Sequence, residues 1–331
     1  MSSLPEFPEP EPLPAESWPQ TAQDSAAIES APAEVEQSSA EFAPDPEEPS
    51  LFASWSQPEI LPPARIPHLG HFAVFTALVG AGSVASGLLA MLAMHYRLFG
   101  VSTVDELAKN IPLGLGVQAI WYLVTLALCL VIFPRYWGES LFTGVQWSGW
   151  TALQMRWKLI FAACGCFVLA MVDSVLLPTK GDAPIDLIFK APGGAWVLFG
   201  FGVTFAPFFE ELAFRGFLLP ALCTACDWVS EYDGRQLRLP VDDSGHPQWS
   251  RLAMIAGSIG ASLPFAWMHA AQQGYALGPF LLLVCVSLVL CWVRLSTRSL
   301  AASTLVHASY NFILFSITFA ATDGFRHLDK I

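Results

Sequence analysis

Apolar residues in this chain fall into long blocks, not into the short alternations of half-buried strands or amphipathic surface helices. Seven blocks stand out, at residues 72–94, 113–133, 159–177, 195–222, 252–268, 277–293 and 299–321. Each is close to the ~20 apolar residues a helix needs to cross a bilayer core. Inside hydrocarbon the backbone has to satisfy its own N–H and C=O groups, which a helix does within one segment. The pattern therefore predicts an all-α, polytopic transmembrane helical bundle of about seven spans. Residues 133–157 are rich in Trp and predict an interfacial stretch, not an eighth crossing.

Composition agrees. Only 13% of residues are charged and mean hydropathy is +0.49, whereas soluble domains carry roughly 25% charged residues. The acidic balance is confined to one end. Residues 1–64 hold 13 Asp or Glu, no Lys or Arg, and 13 of the 25 prolines. Without them the net charge of −12 becomes close to neutral, so the low pI describes the tail and not the membrane body. Residues 1–66 lack the basic start and apolar core of a secretory signal. Their composition buries too little surface to offset ordering entropy, and they are expected to form a disordered acidic, Pro-rich tail. The remaining organisation is read as N-terminal membrane helices over 67–194, a second helical core over 195–321, and a short C-terminal tail over 322–331.

Basic residues give the orientation. With the N-terminus cytoplasmic, Arg65, Arg135, Arg156, Lys158, Arg235, Arg238, Arg251, Arg294 and Arg298 lie inside. Arg97, Lys109, Lys180, Lys190, Arg326 and Lys330 lie on the other side. The surplus favours a cytoplasmic N-terminus under the positive-inside rule. Most of the seven cysteines sit in apolar runs as small hydrophobes. Cys223 and Cys226 form a C-x-x-C at a helix end with no second pair, too little for a metal or redox motif. Residues 223–250 read as a long connection with turn-forming strings, consistent with a surface hairpin. There is no phosphate-binding glycine loop and no basic aromatic patch for nucleic acid.

Polar side chains that interrupt the apolar blocks carry the chemistry. A charge at the centre of a membrane helix costs roughly 2.5–3.5 kcal/mol on insertion scales. The fourth block nevertheless contains Glu210, Glu211 and Arg215. At 100° per residue, Glu211 and Arg215 lie about 40° apart on a helix, and Glu210 and Arg215 about 140°. The expected ion pair is Glu211 with Arg215, leaving Glu210 without an intrahelical partner. The fifth block runs directly into His269, and the last carries His307 and Asn311 on one face at i,i+4. A single membrane His is ordinarily a bridge between helices, and the ion pair could be purely structural. Together, however, a Glu and a His can position and deprotonate a water, and a His with an Asn amide can donate to an oxyanion. That set suits peptide-bond hydrolysis.

The motifs Glu210-Glu211-Leu-Ala-Phe-Arg215, Phe265-Ala-Trp-Met-His269 and His307-Ala-Ser-Tyr-Asn311 resemble those of the CPBP family. That family comprises CAAX prenyl endopeptidases and bacteriocin-processing or self-immunity proteins. The resemblance covers about residues 195–321 and implies an intramembrane endopeptidase. By position, Glu210 and His269 would activate the water, His307 and Asn311 would form the oxyanion site, and Glu211 and Arg215 would support them. The family has been described both as metalloproteases and as glutamate proteases. If zinc is bound, Glu210, His269 and His307 are its ligands, although no H-E-x-x-H is present. The implied partners are the lipid bilayer and a peptide or protein substrate at the membrane, prenylated CAAX-type substrates among them. Two other functions fit the same residues: a non-catalytic membrane scaffold or immunity protein of the same fold, and a proton- or ion-coupled transporter. The chain lacks the repeated halves many transporters show.

Overall fold

The computed structural model describes residues 66–177, 183–232 and 249–327, and every regular element among them is helical. The expectations for residues 1–65 and for a hairpin within 233–248 lie outside the described residues. Seven helical segments are long and apolar enough to span a membrane. They are α1 (Leu69–His95), α3 (Ile111–Trp137), α6 (Arg156–Leu176), a composite run over Gly194–Ser230, α11 (Arg251–Ala270), α12 (Leu277–Thr297) and α13 (Leu300–Ala321). All seven expected spans are present. Short helices α2 (Val104–Lys109), α4 (Leu141–Gly144), α5 (Gly149–Gln154) and α7 (Pro184–Lys190) lie in the connections.

Helix ends follow local chemistry. Asn110 caps α3 by accepting from Leu113 N–H, with Pro112 in the first turn, and α3 stops at left-handed Gly138. Ser250 and Ser299 cap α11 and α13, accepting from Ala253 and Ala302. Each cap satisfies one of the N–H groups that a helix start leaves unpaired. On α1 and α3, Val84, Leu88, Met91 and Leu123 are at least half exposed. In a spanning bundle such side chains face lipid. α1 packs closely on α3 because Gly82 lets the Thr125 side chain approach; a Cβ there would collide with Thr125 Oγ1. Trp121 on α3 also donates to the Val79 carbonyl at 2.8 Å.

The composite run over Gly194–Ser230 departs from a uniform helix. α8 (Gly194–Val203) ends at Thr204, whose φ of −118° and ψ of −75° break the ladder. α9 (Phe205–Glu211) follows with Pro207 in its first turn, then a π-helical segment over Leu212–Leu218 and α10 (Leu219–Tyr232). Such wide turns are rare and are often found at functional sites. This one is held from one side by aromatics. Phe217 stacks on Phe75 of α1 at 4.4 Å and meets Phe133 of α3 at 4.7 Å. On the other side α6, α12 and α13 share a buried apolar cluster including Leu159, Cys166, Val286, Leu290 and Val306.

Three details differ from the sequence-based expectation. The fourth span does not end near residue 222. α10 continues to Tyr232, because Trp249 donates to Thr224 Oγ1 at 3.0 Å and Ser250 N–H to Asp227 Oδ2 at 3.2 Å. Cys223 and Cys226 are therefore helical, and Cys223 is buried. Arg294 is not a loop cation. It lies inside α12, buried, and donates to the Val145 carbonyl at 3.2 Å. The stretch around α4 and α5 does more than lie at an interface. Leu300 N–H donates to the Gln146 carbonyl and Ser299 Oγ to the Ser148 carbonyl, fastening it to the start of α13.

Candidate active site

α9, α11 and α13 bring their polar side chains to one place. Glu210 Oε1 stands 3.6 Å from His269 Nε2, and Glu210 Oε2 stands 3.7 Å from His307 Nε2. One carboxylate thus lies between two imidazoles from two other helices. Both distances exceed a direct hydrogen bond. A water oxygen can still sit about 2.8 Å from each of two atoms so separated.

The far nitrogen of each ring fixes its tautomer. His269 Nδ1 lies 2.9 Å from the Phe265 carbonyl oxygen. A carbonyl only accepts, so Nδ1–H donates and Nε2 of the neutral ring presents a lone pair. His307 Nδ1 lies 3.0 Å from Glu211 Oε1. Donation to that carboxylate leaves His307 Nε2 with its lone pair toward Glu210 as well. Two imine nitrogens and a carboxylate therefore face one another as acceptors. A hydroxylic donor such as water satisfies that arrangement.

Behind it lies the expected ion pair. Arg215 donates to Glu211 Oε1 at 2.9 Å, with both side chains fully buried. Arg215 also donates to the Ser287 carbonyl at 3.1 Å and to Ser287 Oγ at 2.6 Å, and its guanidinium sits 4.5 Å above the Phe265 ring. Burying a charge is tolerable when it is paired and hydrogen-bonded in this way. Glu211 Oε1 accepts from both Arg215 and His307, so the pair is joined to the site through that ring. Asn311 stands apart from these contacts. Its Nδ2 donates to the Gly202 carbonyl of α8 at 2.7 Å.

Sequence reasoning missed Ser287 and Gly202. Ser287 is a hydroxyl within an apolar span, which is a signal for a polar partner across helices. Gly202 contributes only a backbone carbonyl, freed for side-chain use near the break at Thr204, and its residue type gives no sign of that.

The donor chemistry of Glu210, His269 and His307 is of a kind that binds zinc, but the disposition is different. Each Nε2 faces a separate oxygen of Glu210, and the described residues contain no group of three His, Cys, Asp or Glu arranged to hold an ion.

Fold and site together define a seven-span helical membrane protein with a buried polar centre shared by three helices. Residues 192–313 match the family model described as Rce1-like, type II CAAX prenyl endopeptidase Rce1-like. All three motifs lie within the matched segment, and the resemblance to the CPBP family is borne out there. The match covers 122 of the 331 residues and is a similarity of that segment to a prenyl endopeptidase family. No curated protein and no solved structure matches the chain.

Proposed function

We propose that this protein hydrolyses peptide bonds of membrane-associated substrates, prenylated CAAX-type peptides among them, using a water activated by Glu210 and His269. The placement of the Glu210 carboxylate between His269 Nε2 and His307 Nε2 carries this reading. A water held there donates one proton to Glu210 as its oxygen bonds to the substrate carbonyl carbon. The carbonyl electron pair moves to oxygen, where the Asn311 amide faces the developing charge, while His307 Nε2 accepts from the water. Collapse of that adduct breaks the C–N bond, and the departing amine takes the proton from Glu210. A positioned acid–base group of this kind contributes about 10²–10⁴-fold. Glu211 and Arg215 hold His307 in the tautomer this sequence needs.

The test uses purified full-length protein and fluorogenic peptides ending in Cys-aliphatic-aliphatic-X, with and without a farnesyl group. Cleavage by the wild-type protein and none by Glu210→Gln is expected. If the wild-type protein leaves both peptides intact, the reading fails. A scaffold or immunity protein would keep its function in the Glu210→Gln variant.

No step of this scheme runs through a metal. Purified protein is expected to carry substoichiometric zinc, and chelator treatment should leave turnover unchanged. Stoichiometric zinc lost together with activity, and restored with it on add-back, would overturn the metal-free scheme.

None of the residues assigned to the site, Glu210, Glu211, Arg215, His269, His307 and Asn311, lies in the acidic N-terminal segment. Removing residues 1–64 should leave the turnover of a short peptide at the full-length rate. A truncated protein that melts normally but has lost turnover would refute this.

A further inference from the structure

Donor bookkeeping around the site leaves a gap. His307 has both ring nitrogens facing carboxylates, Nδ1 toward Glu211 and Nε2 toward Glu210. Asn311 has one N–H committed to the Gly202 carbonyl. An oxyanion is stabilised by preorganised donors already aimed at it. The two residues assigned that task therefore have much of their donor capacity spent on the protein.

A fourth helix offers another donor. Tyr122 lies near the middle of α3, outside the segment that matches the family model. Its ring stacks on Phe209, the neighbour of Glu210, with centroids 4.5 Å apart and planes at 27°. Its ring also stacks on Phe201, the neighbour of Gly202, at 5.9 Å. Tyr122 thus packs across the break between α8 and α9, on the residues next in sequence to Glu210 and Gly202. Gln118 Nε2 donates to the Tyr122 oxygen at 2.9 Å. That bond uses a lone pair of the phenol and leaves the phenolic proton to be donated elsewhere. For lipid-facing anchorage alone, a Tyr belongs at the bilayer edge with its hydroxyl toward water. This one is in mid-span and turned into the bundle.

Building on the endopeptidase reading, we propose that Tyr122 is a further catalytic residue whose O–H donates a hydrogen bond to the substrate's carbonyl oxygen as negative charge develops there. Gln118 is its positioning residue, one turn earlier on the same helix. The phenol keeps its proton throughout, so no additional proton acceptor is needed.

Tyr122→Phe tests this cleanly, because the ring and both stacking contacts remain and only the oxygen is removed. With full-length protein and the farnesylated fluorogenic peptide, kcat is expected to fall about 10²-fold, the usual effect of removing one oxyanion donor. KM and the melting temperature should stay at wild-type values. Affinity for a phosphinate analogue of the tetrahedral adduct should fall in parallel with kcat. Gln118→Leu should give a smaller fall in kcat. Full kcat in Tyr122→Phe, or a fall without weaker phosphinate binding, would overturn the proposal and leave the endopeptidase reading standing. A wild-type protein inert toward the peptide would remove that reading and this proposal with it.

Discussion

Replacing Glu210 by Gln is expected to abolish turnover while leaving the melting temperature unchanged or slightly raised. The substitution keeps the shape of the side chain and removes its ability to accept a proton. The loss should be about 10²–10⁴-fold, the range of a positioned general base. Stability should survive because Glu210 makes no close ion pair: its two histidine contacts are 3.6 Å and 3.7 Å long. A carboxylate facing two lone pairs in a buried setting is costly. A Gln amide supplies N–H donors to those lone pairs. A single-turnover assay and a melting curve on the same preparation decide the matter. Full turnover in Glu210→Gln would mean that another group takes the proton. A steep drop in melting temperature would mean that Glu210 is a structural residue.

The spans were legible because a bilayer leaves little choice. A helix that crosses it needs a set length and an apolar surface, and all seven blocks in this sequence meet both conditions. The Glu211–Arg215 pair was legible because two charges at i,i+4 in an apolar helix have to meet. Its closure at 2.9 Å, with Arg215 in a π-helical segment, shows that the pairing tolerates a change of helix type. What the sequence hid was tertiary. Tyr122 is one more aromatic in an apolar block until α9 is packed against α3 and Phe209 lies on its ring. Arg294 looks like a loop cation until the Val145 carbonyl, 149 residues away, is seen to receive it. The fourth helix runs on past residue 222 because Thr224 and Asp227 find partners at Trp249 and Ser250. None of these contacts leaves a periodic trace along the chain. Each depends on which helix becomes whose neighbour.

Glu211 is expected to fail in the opposite way from Glu210. Glu211 and Arg215 are both fully buried, and Glu211 Oε1 serves Arg215 and His307 together. Glu211→Gln removes the negative charge and strands the guanidinium, at a cost of about 3–5 kcal/mol. Arg215→Met strands the carboxylate at a similar cost. Either variant should melt well below the wild-type protein and show reduced turnover. The double variant Glu211→Leu/Arg215→Met separates the two effects. Replacing a buried pair by apolar residues of similar size is often neutral or stabilising, so the double variant should melt above both single variants. Its turnover should stay low, because His307 has lost the carboxylate that fixes its Nδ1 proton. Melting curves for the three proteins in one detergent test the coupling, and a peptide assay tests the orientation of His307. A double variant no more stable than the single ones would show that the two charges do not act as one unit. One that regained turnover along with stability would show that the pair serves the fold alone.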